Sequence, residues 1–190
     1  FRVLVLDRFD GYTWRATRAR AMPGTLQGQG PAIRYTLTLE PHDKPWLPVM
    51  DFADPASLPA DSRLNTDFSV TQRDKVQQRK RYSATAQASL GNTLDSDADD
   101  LPRALELPPS ANPRARAFAN RLRAESRDDQ DFIQKILARF HNDTYVYTLK
   151  PPLLEQDPVD EFLFTSRRGF CEHYAAAFVT LMRAASIPAR

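Results

Sequence analysis

The chain has 190 residues, a formal net charge of +2, 42% hydrophobic and 26% charged residues, which is ordinary for a globular protein of one or two domains. So small a charge argues against a nucleic-acid partner, and a single cysteine excludes an internal disulfide and a cysteine-rich zinc site. No apolar run approaches the roughly 20 residues of a membrane helix, and no residue pattern points to a metal or cofactor.

Residues 1–89 read as β structure. The chain opens at Phe1 without a signal-peptide pattern, directly in an expected strand, Val3-Leu4-Val5-Leu6. Asp10-Gly11 is a turn signal, and Tyr12, Thr13 and Trp14 begin a return strand. Residues 24–32, rich in glycine, glutamine and proline, read as a loop. Ile33, Tyr35, Leu37 and Leu39 alternate with Arg34, Thr36, Thr38 and Glu40, the period of a half-buried strand. Trp46 to Met50 reads as an edge strand, because Pro48 offers no ladder donor. Leu64, Phe68 and Val70 suggest one further strand, and residues 78–88 a polar, basic one around Tyr82. Five or six strands with turns and no helical period predict a β-sandwich. His42, between Pro41 and Asp43, reads as a solvated loop residue. Arg79-Lys80-Arg81 reads as edge charge that discourages aggregation, with a membrane-surface or acidic-partner role as the alternative.

Residues 90–112, with Gly91, four aspartates between Asp95 and Asp100, and Pro102, Pro108 and Pro109, read as a linker. Asn112-Pro113 is a helix start, Asn112 as cap and Pro113 in the first turn. Ala115, Phe118, Ala119 and Leu122 form the apolar stripe of a helix over 113–125. Arg114, Arg116, Arg121 and Arg123 read as its solvated face rather than a binding patch. Asp128 and Asp129 begin a second helix, 129–141, with Phe132, Ile133, Ile136, Leu137 and Phe140 at helical spacing and His141 at its C-terminal end. Tyr145 to Thr148 reads as extended, Pro151, Pro152 and Pro158 frame a loop, and Val159 to Phe164 suggest a short helix.

The segment Gly169-Phe170-Cys171-Glu172-His173-Tyr174-Ala175 opens a run of small and apolar residues that ends at Pro188. We read 170–187 as a mostly buried helix, with Cys171, Ala175, Phe178, Met182 and Ala185 on one face. Cys171 then lies in the first turn, beside unpaired N–H groups and the positive end of the helix dipole. That setting suits a thiolate nucleophile and an oxyanion forming beside it. Gly169, having no Cβ, would let a substrate backbone approach. The plainer reading is that Cys171 is a small buried hydrophobe.

The same residues, followed by Leu181-Met182-Arg183-Ala184-Ala185-Ser186-Ile187-Pro188-Ala189-Arg190, resemble the cysteine-helix motif of the transglutaminase-like superfamily. The likeness is to its bacterial membrane-anchored branch, the TgpA-type protein-glutamine gamma-glutamyltransferases. Phe140, Tyr145 to Leu149, Asp160 to Phe164 and Arg167-Arg168-Gly169 also look like that branch, and the resemblance is detailed over residues 113–190. Ser186 departs from it, standing where many relatives carry glycine.

The resemblance implies an α+β fold: a β-sandwich over 1–89, a linker over 90–112, and over 113–190 the helical front half of a transglutaminase-like, papain-like core. It implies that Cys171 attacks a glutamine carboxamide, releases ammonia and holds a thioester that an amine or water resolves. Gly169, Phe170, Glu172 and His173 are the near-site residues. The implied partners are a protein or peptide glutamine substrate and an amine acceptor, with no nucleic acid and no cofactor. Membrane attachment would come through segments outside this chain, in the bacterial inner membrane, with this region periplasmic. The family's base and acid, His then Asp, follow the cysteine helix. The only histidine after Cys171 is His173, two residues on and off the cysteine's helix face, so the chain by itself is expected to be inactive. Two alternatives stand beside this reading: a cysteine protease or amidase on the same fold, and a non-catalytic scaffold in which Cys171 only packs.

Overall fold

The structure, a computed structural model, describes residues 1–17, 20–22, 28–90 and 100–190. They form two compact units, Phe1–Leu6 with Ala16–Asp95, and Asp7–Arg15 with Ser96–Arg190. Residues 7–15, which the sequence reading kept within a β region spanning 1–89, thus pack with the second unit. They form a hairpin of β1 (Arg8–Phe9) and β2 (Trp14–Arg15). Its turn is set locally: Asp10 Oδ1 accepts the N–H groups of Tyr12 at 3.0 Å and Thr13 at 2.6 Å, and Gly11 takes φ 106°, which glycine adopts without steric cost.

The first unit has two antiparallel sheets. β3 (Gly28–Leu39) pairs with β7 (Lys80–Leu90), Leu37 facing Tyr82; β4 (Trp46–Leu47) and β5 (Ser62–Leu64) flank β6 (Val70–Gln72). The expected alternation holds in β3 from Tyr35 onward, where Tyr35, Leu37 and Leu39 are half-buried and Thr36 and Thr38 exposed, whereas Ile33, expected on the same face, is exposed. Leu47, Val49, Leu64, Val70, Val76 and Tyr82 make the core.

Three sequence expectations change here. Val3 to Leu6 form no strand: Arg2 alone bridges Val49, and the run finds no ladder partner. Residues 28–32 belong to β3 rather than to a loop, because the register with β7 extends to Gly28 opposite Leu90; residues 23–27 lie outside the described set. Leu64 and Val70 stand on two strands, β5 and β6, since Phe68 takes φ 61° in a turn and Asp67 Oδ1 accepts the Ser69 N–H at 2.9 Å.

The second unit is helical. In chain order it holds α1 (Asp100–Arg103), α2 (Pro113–Ala124), α3 (Asp129–Asn142), β8 (Val146–Tyr147), α4 (Pro158–Glu161), a π-helical turn (Phe162–Ser166), β9 (Arg168–Gly169) and α5 (Cys171–Ala184). Of the expected linker, residues 91–99 lie outside the described set and 100–103 are the short α1. The core is Phe132, Ile136, Phe162, Leu163, Leu181 and Met182 with alanines 115, 119 and 177 between them. The alanines let helices approach closely, and the larger side chains fill the gaps.

Asn112 stands at the N-cap position of α2 as expected, but its side chain does not cap that helix. It takes φ 51° without a side-chain cap bond, and its Oδ1 accepts the N–H groups of Val159 at 2.9 Å and Asp160 at 3.3 Å. Asp160 in return accepts Arg114 N–H at 2.8 Å and Ala115 N–H at 2.7 Å. Each helix start is therefore capped by a residue from the other, 47 positions away for the Asn112–Val159 pair, which local pattern could not show. α3 is capped locally: Asp128 Oδ1 accepts Asp131 N–H at 2.8 Å and Asp131 Oδ2 accepts Arg127 N–H at 3.0 Å. Among the described residues no helix is long and apolar enough to cross a membrane.

Candidate active site around Cys171

Two short strands set the entry to the cysteine helix. β8 and β9 run parallel, Val146 beside Arg168 and Tyr147 beside Gly169. Val146 N–H donates to Arg167 O and Thr148 N–H to Gly169 O, both at 2.8 Å. Arg167 takes the left-handed φ 49° that turns the chain out of the π-helical turn, with its N–H on Phe162 O at 3.0 Å. Phe170 is extended, and α5 begins at Cys171.

Gly169 is buried, but not to admit a substrate backbone. A Cβ there would lie 2.7 Å from His173 Cβ and Cγ and 3.0 Å from the Phe162 ring. The space that the sequence reading left for substrate is filled by the first turn of α5 itself. His173 explains why. Its Nδ1 accepts the Phe170 N–H at 3.3 Å, the role that Glu or Gln usually plays at the third helical position. An accepting Nδ1 means that a neutral ring carries its proton on Nε2. The ring lies edge-on to Phe170, centroids 4.6 Å apart, and 5.7 Å from Phe162. His173 is thus a residue that fixes the turn.

Cys171, Glu172 and Ala175 are exposed. The expectation of a mostly buried helix with Cys171 on its inner face therefore changes in one half. On the expected face, Met182 and Ala185 are buried while Cys171 and Ala175 are open. The reason is what crosses each half. The C-terminal half is covered by the chain around Ala104 to Glu106 and by Ile187 and Ala189, with Ala189 N–H on Ala104 O at 2.9 Å. At the N-terminal half, Phe170 O accepts His173 N–H at 2.9 Å and Tyr174 N–H at 3.4 Å. The N–H groups of Cys171 and Glu172 precede the helix's own bonding and sit at its positive end.

Arg183, which the sequence reading quoted without assigning a role, holds the other end. It is 4% exposed. Its Nε donates to Ala189 O at 2.8 Å, one terminal nitrogen to Glu106 O at 3.0 Å, and the other to Asp7 O at 2.8 Å. Its guanidinium lies 5.0 Å from the Trp14 ring centroid. Burial pulls its pKa below the ordinary arginine value, while Asp7 and Glu106 act in the opposite sense. The available signal was one arginine inside an apolar helical run. Under the cysteine turn lies an aromatic layer the sequence did not assemble. Tyr174 packs edge-on to Phe162 at 5.0 Å and Phe140 at 5.6 Å, and exposed Tyr147 stacks on it at 6.4 Å. Burial raises the Tyr174 pKa, and the neighbouring Tyr145 and Tyr147 add to this. Tyr145 donates its hydroxyl to Leu163 O at 3.1 Å.

Known proteins match this chain in both units. The TgpA N-terminal domain matches residues 1–90, and the transglutaminase-like superfamily matches residues 116–190. A protein-glutamine gamma-glutamyltransferase of Pseudomonas aeruginosa is 38% identical over 192 residues, covering 100% of this chain and 28% of its own length. The Bacillus subtilis protein YebA is 31% identical over 91 residues, 46% of this chain and 12% of its own. The crystal structure of the periplasmic domain of TgpA from Pseudomonas aeruginosa superposes with TM-score 0.89 at 38% identity, covering 98% of this chain and 65% of that one. Its ethylmercury-bound form gives TM-score 0.86 at 37% identity, covering 98% of this chain and 66% of that one. The chain therefore spans less than two thirds of these relatives. Residues 1–90 match the TgpA N-terminal domain and residues 116–190 the transglutaminase-like superfamily, and by that pairing the chain belongs to the TgpA branch of the transglutaminase-like superfamily.

Proposed function

We propose that Cys171 is the nucleophile of a protein-glutamine gamma-glutamyl transfer, and that this chain is the nucleophile-bearing part of the enzyme. The observation that carries the reading is an exposed thiol at the first residue of a 14-residue helix, beside two N–H groups that can receive an oxyanion. Attack of the thiolate on a glutamine carboxamide carbon forms the C–S bond and moves charge onto oxygen. Collapse breaks the C–N bond, and ammonia leaves with a proton from a general acid. An amine then attacks the thioester, gives its proton to the base, and frees the thiolate. Gly169 and His173 act by holding Phe170 and Cys171 in place; Phe170 and Glu172 border the thiol. The family's His and Asp would lie beyond Arg190, so this chain alone is inactive. The solved relative is a periplasmic domain, which supports a location on the periplasmic side of the inner membrane, with protein glutamines and amines as partners.

The test compares three proteins: the 190-residue chain, a form extended past Arg190 through the downstream His and Asp, and the extended Cys171→Ala variant. Glutamine–amine cross-linking and ammonia release should appear only in the extended wild type. The 190-residue chain should fall short by about 10²–10⁴-fold, the usual worth of general acid–base help. Full activity in extended Cys171→Ala overturns the assignment, and peptide cleavage without ammonia release favours a protease instead. Ethylmercury, which a Pseudomonas relative binds, seeks soft thiolates. It should load once per chain here and not at all on Cys171→Ala.

A further inference from the structure

The arginines of α2 are not simply solvated. Arg114 lies 4.7 Å from the Phe164 ring centroid; Arg139, from α3, lies 4.7 Å from Phe118 and 5.7 Å from Phe164; Arg121 lies 5.8 Å from Phe118. The two rings meet edge-on at 5.9 Å. Residues 114, 118 and 121 share one helical face, so the side chains form a ladder, Arg–Phe–Arg–Phe–Arg, across α2, α3 and the π-helical turn. Arg114 and Arg121 are exposed, and among the described residues no ion pair is formed by either of them. Among the described residues only the middle rung forms an ion pair, Arg139 with Asp143 at 3.6 Å, while Arg114 lies in the field of Asp160, whose carboxylate is taken up by the backbone N–H groups of Arg114 and Ala115.

Three guanidiniums drawn together repel one another, and one carboxylate offsets only part of that. What the ladder gains is order. A guanidinium stacked on a ring keeps its flat face against carbon and turns its N–H edge outward, the geometry for planar, paired binding of a carboxylate. Asp143 already occupies one such edge.

We propose that this face docks an acidic protein segment, whose carboxylates take the outer edges of Arg114 and Arg121. A bilayer is the less suitable partner, because Phe118 and Phe164 lie beneath the guanidiniums and are only half-exposed, leaving no apolar wedge to insert. The proposal does not depend on Cys171, and the Cys171→Ala variant keeps the interaction.

The probe is fluorescein-labelled hexaglutamate, titrated with the 190-residue chain at low and moderate salt, with thermal unfolding followed for every variant. Wild type should bind at low salt and weaken as salt rises. Arg114→Gln with Arg121→Gln should lose about tenfold or more, the order expected for two charge-assisted contacts. Arg114→Lys with Arg121→Lys keeps the charge but not the stacked fork, and should lose most of the same affinity. Arg123→Gln, whose native arginine pairs with Asp129 at 2.6 Å, should bind like wild type. The proposal is overturned if wild type does not bind hexaglutamate, if the lysine variant binds as well as wild type, or if phosphatidylglycerol vesicles are bound and the peptide is not.

Discussion

The two halves of α5 carry the same kind of sequence and have opposite fates. From Ala177 to Ala185 no residue of the helix is exposed and Ala177, Thr180 to Arg183 and Ala185 are buried, and Arg183 binds it to three separate carbonyls. From Cys171 to Ala175 it is open on one side, and what holds it is local: Gly169, His173 and the aromatic layer beneath. Stability is thus concentrated at one end of the helix and the reactive group stands at the other. A buried thiol could not meet a protein substrate, and an open helix with no anchored end would fray.

The largest expected effect comes from removing the ring on which the cysteine end rests. Phe162 is 1% exposed and touches Tyr145, His173 and Tyr174. Phe162→Ala should destabilise the second unit by about 3–5 kcal/mol, read by thermal or urea unfolding. Because it lies beneath the cysteine turn and packs on His173 and Tyr174, it should also speed hydrogen exchange at those two residues. A cost below about 1 kcal/mol would mean the turn does not rest on this ring.

Arg183→Ala attacks the anchored half alone. It removes the hydrogen bonds that Arg183 gives to the carbonyls of Asp7, Glu106 and Ala189, and we expect a loss of about 2–4 kcal/mol, since hydrogen bonds to a charged group are worth about 1.5–3 kcal/mol each and water replaces some of them. Hydrogen exchange should rise first at the C-terminal half of α5. Unchanged exchange at Leu181 and Met182 in this variant would mean that Arg183 does not anchor that half.

Ser186 offers a gain at the same end. It takes φ 60° just past α5, while Ile187 N–H reaches Met182 O at 2.9 Å and Ser186 N–H reaches Arg183 O at 3.1 Å, the closing bonds of a helix whose next residue is left-handed. Ser186→Gly should raise stability by about 0.5–1 kcal/mol, the relief of a strained L-residue less the added unfolded-state freedom. Unfolding midpoints would show it, and a drop would mean that the serine side chain contributes a bond of its own.

The smallest effect is the pH dependence of α3, whose start is held by exposed charge where α5 is held by packing. Asp131 accepts the Arg127 N–H and binds Lys135 at 2.9 Å, and these hold its pKa down to about 2. A carboxylate with a lowered folded pKa stabilises fully above its unfolded value near 3.8, and that contribution is lost as pH falls through about 2. Asp131→Asn should therefore weaken the pH dependence of the unfolding midpoint between those values and leave the half of α5 around Cys171 unaffected. An unchanged acid limb would remove Asp131 as its source.

Much of this was written locally. The 3.6-residue period of Phe132, Ile136 and Phe140, the Pro113 start, the acidic start at Asp128 and Asp129 and the stop at Pro188 placed the three main helices to within a few residues, because each signal acts within one or two turns of chain. The motif around Cys171 put the thiol at a helix start for the same reason. Four features needed the fold: the exchange of caps between Asn112 and Asp160, the filling of the Gly169 space by His173, the anchoring by Arg183, and the burial of one half of α5 only. Each depends on which distant segment crosses a given residue, and helical period reports faces without reporting what covers them. The strands show the same limit. Val3 to Leu6 have the composition of a strand and no ladder partner, while Gly28 and Gln29 sit in a stretch with the composition of a loop and pair with Leu90 and Ser89 of β7, because a strand exists only where a neighbouring chain completes its hydrogen bonds.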